Sequence, residues 1–389
     1  MRIFILVALC AASAFGKGTW EEQQARAEEI SAEYQAMNPA VSSERFVFKT
    51  VALPDGSKLD LDMRVVRPKQ GGPFPVVFFV HGGAWATGSK AQFTHESFVL
   101  ADQGIAGVRM EYRWKSKGAK YPEAIGDVMD AIDFVRQRAK ELNLDFTRVG
   151  LAGGSAGGHL SAIAAQLTPE CICYDGYNGL FDAYERNGGK FGGGDYTGTT
   201  EAEKKKASAI YLIKTPPPDT FLYHGTADTT VVIEQAYRFA EAIRAKGGNA
   251  EVLAYEGAGH AFFNKEPYQT ASTQALLDHT SYLFGLTDQR PDLSKYKLPP
   301  KANAERKDSP MNAAGFLVGD WRQEDDPGKS FTFNSDYTAV SVAGAKLKWE
   351  ESDGQLFIIW KSGTLAPIKR LSANRISVGK HTYLRESTK

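Results

Sequence analysis

A mostly parallel α/β sheet followed by a small all-β module is the fold class this chain predicts, and three observations predict it. Short apolar runs between residues 75 and 255 alternate with helical stretches, and several of the runs close on glycine. That alternation implies parallel strands covered by helices on both faces. After residue 311 the hydrophobic period drops to two, with Asn334-Ser335-Asp336 and Asp353-Gly354 among the turn signals, as in an antiparallel meander. A length of 389 residues accommodates one large α/β domain and something smaller.

The elements follow in order. Residues 1–14 have a basic start at Arg2, an apolar core and an A-x-A-like end, the pattern of an export signal that is cleaved. The apolar run is too short to cross a bilayer as a helix, so the expected location is secreted or periplasmic. Lipid anchoring at Cys10 fits poorly, because Leu9 stands where a small residue belongs. Residues 20–37, with Glu21, Glu22, Arg26, Glu28 and Glu29, read as a charged amphipathic helix that lies over the site mouth or packs on the core.

The α/β domain spans residues 20–286. Strands are expected at 75–80, 107–111, 148–152, 220–224 and 250–255, and helices at 124–142 and 233–246. Residues 171–208, with Tyr174, Tyr177, Phe181, Tyr184, Phe191 and Tyr196, read as an irregular aromatic insertion that shapes a substrate site or packs on itself. Residues 287–311 shift to Pro, Lys, Asp and Asn and read as a linker. Residues 312–389 form the β module, a small barrel or sandwich with runs at 315–321, 330–333, 346–350, 355–360, 364–369 and 375–378. There Trp321, Trp349 and Trp360 read as core rather than as a sugar-stacking platform.

Chemistry concentrates at strand ends. Gly153-Gly154-Ser155-Ala156-Gly157 reads G-x-S-x-G between an apolar run and a helical one. A strand, a tight turn and a helix lift a serine hydroxyl above a sheet, and the glycines let strand and helix pass closely. The run 75–80 leads into His81-Gly82-Gly83-Ala84-Trp85. Two later runs lead into Gly225-Thr226-Ala227-Asp228 and Gly257-Ala258-Gly259-His260. Ser155 as nucleophile, Asp228 as acid and His260 as base thus occur in the chain order of a nucleophile-elbow hydrolase.

These motifs, with Tyr112-Arg113 and Gly157-Gly158-His159, make residues 46–286 resemble the α/β-hydrolase serine esterases. The likeness is greatest to the bacterial acetyl-xylan and feruloyl esterases, relatives of the hormone-sensitive-lipase-like esterases. The hormone-sensitive-lipase branch carries a third glycine where this chain has Ala84, and the HGG-x-W form points to the carbohydrate-esterase branch. The resemblance implies a carboxylic ester hydrolase acting on esterified polysaccharide or oligosaccharide, O-acetyl first and feruloyl second.

The roles follow from acyl transfer. A serine hydroxyl is a weak nucleophile until a neutral imidazole takes its proton. Asp228 would hold the imidazole in one tautomer. The oxyanion would meet the N–H groups of Gly83, Ala84 and Ala156. Trp85 lines an acyl or sugar subsite or packs beside the glycine loop, and both readings stay open. His81 reads as structural, His159 as pointing away from Ser155, His224 as a satisfied half-buried histidine and Tyr112-Arg113 as a prop for the oxyanion loop. Asp182, Asp195, Glu234 and Glu256 are the other acids that could partner a histidine, but none combines a strand end with the right place in chain order.

Other chemistries lack their motifs. There is no H-E-x-x-H, no glycine loop ending in Lys-Ser or Lys-Thr, and no G-x-G-x-x-G after a strand, so no cofactor and no metal are called for. A formal net charge of zero and unclustered basic residues argue against nucleic acid. Lys204-Lys205-Lys206 reads as a solvated helix face. Cys171 and Cys173 stand too close in sequence for an unstrained disulfide. Two rival functions remain, a general small-ester carboxylesterase or peptidase, and an idle carbohydrate-binding protein on a hydrolase scaffold. The oligomeric state is open.

Overall fold

A computed structural model describes residues 18–184 and 196–298, and eight strands between residues 319 and 385. The export signal expected at residues 1–14 and the candidate acid Asp195 lie outside the described residues. The chain divides into two compact units, residues 1–300 and 301–389.

The first unit opens with helix α1 (Trp20–Met37). Thr19 begins it with a reciprocal cap: its hydroxyl accepts from the Glu22 N–H, and the Glu22 carboxylate accepts from the Thr19 N–H. There follow β1 (Val41–Ala52), β2 (Lys58–Pro68), β3 (Phe74–Val80), α2 (Thr94–Asp102), β4 (Ala106–Met110), α3 (Tyr121–Gln137), β5 (Leu144–Gly154), α4 (Ala156–Leu167) and β6 (Cys171–Tyr177). Then come α5 (Glu201–Lys206), β7 (Asp219–Gly225), α6 (Glu234–Ala245), β8 (Ala250–Tyr255) and α7 (Tyr268–Leu283). The eight strands lie in the order β1-β2-β4-β3-β5-β6-β7-β8. The hairpin β1–β2 pairs antiparallel, as does β2 with β4, and every later pair is parallel.

Strand β3 shows why the sheet is central. All its residues are buried. Val76, Phe78 and Val80 pack with Val128 of α3, Leu160 of α4 and Phe239 of α6. Val77 and Phe79 pack on the opposite face with Leu100 of α2 and Leu276 of α7. Alternate side chains of a strand point to opposite faces, so a continuous apolar run needs cover on both sides. Each fully buried Phe or Val contributes roughly 1.5–3 kcal/mol.

Two expectations need correction. Residues 171–177, read as irregular, are strand β6, hydrogen-bonded to β5 and β7. Their Asp and Gly masked a strand whose Cys171, Cys173, Tyr174 and Tyr177 are buried. The linker does not begin at residue 287. Residues 293–296 form a short 3-10 turn in which Leu293 is buried with the α7 face. The Lys295 ammonium there lies 3.0 Å from the Asp278 carboxylate, to which the Tyr296 hydroxyl also donates. Helix α3 also begins and ends earlier than the sequence suggested, and helix α5 carries Lys204, Lys205 and Lys206 with none of its residues buried.

The second unit is a closed barrel of β9 (Gly319–Gln323), β10 (Ser330–Phe333), β11 (Thr338–Ser341), β12 (Lys346–Ser352), β13 (Gln355–Ile359), β14 (Leu365–Ser372), β15 (Arg375–Val378) and β16 (His381–Arg385). Every neighbouring pair is antiparallel, and β16 closes on β9. Trp321 and Gln323 are buried while Arg322 and Glu324 are exposed, the period of two expected of a barrel wall. Trp321 is core. Trp360 lies outside the described residues.

Candidate active site

Three strand ends bring the site together. Strand β5 stops at Gly154, and Ser155 turns the chain into α4 with φ 54° and ψ −117°. That conformation is strained for a residue with a Cβ. It is held by a hydrogen bond from the Ser155 N–H to the Tyr177 carbonyl (2.8 Å) and one from the His159 N–H to the Ser155 carbonyl (3.0 Å). A Cβ on Gly157 would lie 2.0 Å from the Val80 carbonyl oxygen, so only glycine lets α4 start this close to the end of β3.

The loops after β7 and β8 are fastened to each other. The Ala227 N–H donates to the Ala258 carbonyl (3.0 Å), the Thr226 N–H to the Tyr255 carbonyl (3.0 Å) and the Gly257 N–H to the Thr226 hydroxyl (2.8 Å). They carry Asp228 and His260. Asp228 Oδ2 lies 2.7 Å from His260 Nδ1, and His260 Nε2 lies 2.9 Å from Ser155 Oγ. Asp228 Oδ1 accepts from the Thr230 and Val231 N–H groups at 2.8 and 2.9 Å. Burial alone would raise the Asp228 carboxyl, but hydrogen bonds from His224 and His260 outweigh it and hold the group well below the usual carboxylate range. An ionised Asp228 can only accept, so it keeps the proton on Nδ1 and leaves Nε2 to accept from the serine.

The opposite wall is the loop after β3. The Ala86 and Thr87 N–H groups both donate to the Gly83 carbonyl, which makes a tight turn with positive φ at Gly83 (121°), Ala84 (53°) and Trp85 (59°). Among the described residues, the Gly83 and Ala84 N–H groups donate to no protein acceptor. Ala156 is the first residue of α4 and has no preceding turn to accept its N–H. All three line one cavity of about 460 Å³ together with Ser155 and His260. Leu180, Val231 and Phe263 add apolar walls.

The rival residues fall elsewhere. His81 is buried, with Nε2 3.2 Å from Glu111 and its ring stacked on Tyr112. The Tyr112 hydroxyl donates to the His81 carbonyl (3.0 Å), so Tyr112 does brace this loop. Arg113 instead pairs with Asp127 of α3. His159 Nε2 meets the Ala207 carbonyl at 2.7 Å. His224 is fully buried, its Nε2 2.7 Å from the Val231 carbonyl and 3.5 Å from Asp228. Asp182 pairs with Arg238, and Glu256 is exposed. Trp85 lines the cavity but is only 2 % exposed, stacked on Tyr196 and edge-on to His159.

Three neighbours escaped the sequence reading. The Asn178 amide nitrogen lies 3.5 Å from His260 Nε2. Gln92 accepts from the Gly82 N–H at 2.6 Å, and Gln23 of α1 bonds Thr87 and Gly88. No short motif surrounds any of them. Asn178, one residue past the buried end of β6, offered only its strand-end position as a signal. Among the described residues, no cluster of His, Cys, Asp and Glu is arranged to hold a metal, and no helix is long and apolar enough to cross a membrane.

Comparison with known proteins bears on the fold and on the class of reaction. The BD-FAE family model matches residues 61–177. A probable isoprenylcysteine alpha-carbonyl methylesterase of Oryza sativa subsp. japonica is 27% identical over 311 residues, which cover 72% of this chain and 70% of that protein. The esterase LipC of Mycobacterium tuberculosis is 30% identical over 220 residues, covering 49% of this chain and 53% of that protein. The chain therefore spans between about half and 70% of these curated relatives' length. Among solved structures, Thermogutta terrifontis esterase 2 phosphonylated by sarin matches 64% of this chain and 97% of its own, with a TM-score of 0.56 and 27% identity. The first unit is an α/β-hydrolase fold, and these relatives support a carboxylic ester hydrolase on that scaffold.

Proposed function

We propose that the chain is an exported carboxylesterase that cleaves its substrate through an acyl-enzyme on Ser155, with His260 as base and Asp228 as its orienting acid. The observation that carries this reading is the unbroken contact chain from Ser155 Oγ through His260 to Asp228, at 2.9 and 2.7 Å. Ser155 Oγ attacks the ester carbonyl as its proton passes to His260 Nε2. The negative charge on the carbonyl oxygen develops beside the Gly83, Ala84 and Ala156 N–H groups. One such donor contributes about 3–4 kcal/mol of transition-state stabilisation. His260 returns the proton to the departing alkoxide, and water repeats the cycle to free the acid.

A cavity of about 460 Å³ with Leu180, Val231 and Phe263 in its walls suits a compact acyl group. O-acetyl esters of polysaccharides are the first substrate class and feruloyl esters the second. Support for the sugar component is the resemblance carried by His81-Gly82-Gly83-Ala84-Trp85. A second reading, a general carboxylesterase for small esters, is favoured by a relative named as a methylesterase.

The test measures acetate and ferulate release from acetylated xylan, pectin and feruloylated arabinoxylan beside hydrolysis of a short aryl ester, for wild type and Ser155→Ala. The expected outcome is acetate release by wild type alone, with Ser155→Ala equally stable and slower by at least about 10⁴-fold. Hydrolysis of only the aryl ester would leave the general esterase. Full activity in Ser155→Ala would overturn the mechanism.

A further inference from the structure

Of the two placements open for helix α1, over the site mouth or on the core, the second holds: Trp20 packs with Val51, Leu59, Leu61 and Trp114, and Ala27 and Ile30 with Ala91. No residue of α1 lines the cavity. Its buried residues Trp20, Gln23, Ala27, Ile30 and Ser31 form one helical face, and from that face Gln23 meets the loop that follows β3. Gln23 is 6 % exposed and fully used. Its amide nitrogen donates to the Thr87 hydroxyl (2.8 Å) and the Gly18 carbonyl (3.2 Å), and its amide oxygen accepts from the Gly88 N–H (3.0 Å). Beside it, the buried Lys90 ammonium lies 2.7 Å from Gln24 Oε1 and 3.3 Å from Glu28 Oε1. Arg109 spans the same seam, donating to the Lys90 carbonyl (2.9 Å) and to Ser31 of α1 (3.2 Å).

This seam matters because the loop is strained. Ala84 and Trp85 are consecutive non-glycine residues at positive φ, a conformation that costs on the order of 1–3 kcal/mol per residue and persists only where the surroundings over-determine it. Relaxation of either residue would rotate the peptide units that carry the Gly83 and Ala84 N–H groups. Thr87 and Gly88 sit directly on those units. A Cβ on Gly83 would lie 2.0 Å from the Thr87 carbonyl oxygen, and one on Gly88 would lie 2.2 Å from the Gly82 carbonyl oxygen. Gln23 therefore grips the segment that presses Gly83 into place.

We propose that Gln23 of the N-terminal helix is a positioning residue for the oxyanion site, acting through Thr87 and Gly88. The inference rests on the serine-esterase reading above. Gln23 touches no reacting atom. Its contribution is to hold donors where charge develops, so its loss acts on the transition state and spares ground-state binding.

The experiment compares wild type, Gln23→Met, Thr87→Val and the double variant on a short aryl ester. Rates are expressed per active site titrated with a fluorophosphonate, and affinity for a trifluoromethyl ketone that forms a tetrahedral adduct is measured alongside. Gln23→Met keeps the side-chain length and removes both loop contacts. The expected result is a kcat lower by roughly tenfold, less than one full donor contributes, with KM within about twofold. Ketone affinity should fall in parallel, and the two single variants should be non-additive. An unchanged kcat per titrated site with a lowered Tm would overturn the proposal and leave Gln23 as ordinary packing. Equal falls in the single variants that simply add in the double would overturn it too. Absence of titratable serine or of turnover in wild type would instead refute the esterase reading.

Discussion

The two walls of the candidate site are built in different ways. On one wall Ser155, Asp228 and His260 follow strands β5, β7 and β8 of one parallel sheet, with β6 between the first two, and backbone hydrogen bonds join the last two loops directly. On the other, Gly83 and Ala84 belong to a strained turn whose loop is held by Gln23 of α1, by Glu111 beyond β4 and, from within the loop, by Gln92. The first wall inherits its precision from sheet register, which shifts only by whole residues. The second depends on side chains from elements far apart in sequence, and removing one of them leaves a buried polar group without its partner. Strand-end residues should therefore respond to mutation through the chemistry they carry, and loop residues through geometry.

The sharpest break in that comparison is Asp228→Asn. The fold should survive, because an amide oxygen can still accept from the Thr230 and Val231 N–H groups, while the amide nitrogen favours the wrong His260 tautomer. The kcat is expected to fall by about 10³–10⁴-fold at neutral pH with an unchanged thermal transition, read by steady-state kinetics and calorimetry. A loss below about tenfold would remove Asp228 from the relay.

The next contrast pairs one glycine from each wall. Gly83→Ala forces a Cβ to within 2.0 Å of the Thr87 carbonyl at a φ of 121°, and kcat should fall by roughly 10²-fold as the donors move. Gly259→Ala, whose Cβ would meet nothing nearer than the Ala227 carbonyl at 3.9 Å, should stay within a few-fold of wild type. Equal losses would mean that both walls tolerate displacement alike.

The smallest effect concerns stability alone. Glu96 of α2, downstream of the oxyanion loop, is buried beside Thr273 of α7, and burial pushes its carboxyl up to about 7. The folded protein holds this proton more tightly than the unfolded chain does, so stability falls as pH rises from about 4.5 to 7 and is level above that. Glu96→Gln should be more stable than wild type at pH 8, by at most roughly 3 kcal/mol, and indistinguishable at pH 4. Urea midpoints at the two pH values measure this, and kcat should not change. A stability difference independent of pH would mean that Glu96 titrates alike in the folded and unfolded protein.

Much of this was legible in the chain. Apolar runs leading into glycine-containing turns marked β3, β5, β7 and β8, because parallel strands are buried on both faces and the loops after their carboxyl ends converge on one edge of the sheet. That is why Ser155, Asp228 and His260 could be named in order. The barrel was visible as alternation, although β11 and β16 were not marked. Strand β6 was missed because its Asp175 and Gly176 carry no β signal of their own. Asp175 is buried against His279 of α7, 2.9 Å away, and accepts from the Tyr223 hydroxyl, partners 104 and 48 positions distant.

By itself, then, the sequence determined the alternation of strands and helices, the positions of the strand-end residues and the small residues of the turns. These depend on local pattern and on the two-residue period of a strand. Only the tertiary structure decided that Trp85 packs against Tyr196 and His159, that residues 293–296 belong to the first unit, and that α1 supports the oxyanion loop. Each of these depends on a contact between segments far apart in the chain. A hydrogen bond such as that from Gln23 to Thr87 leaves no mark on either local sequence, because a glutamine that grips a loop and one that faces solvent are the same residue until the fold brings their partners within 3 Å.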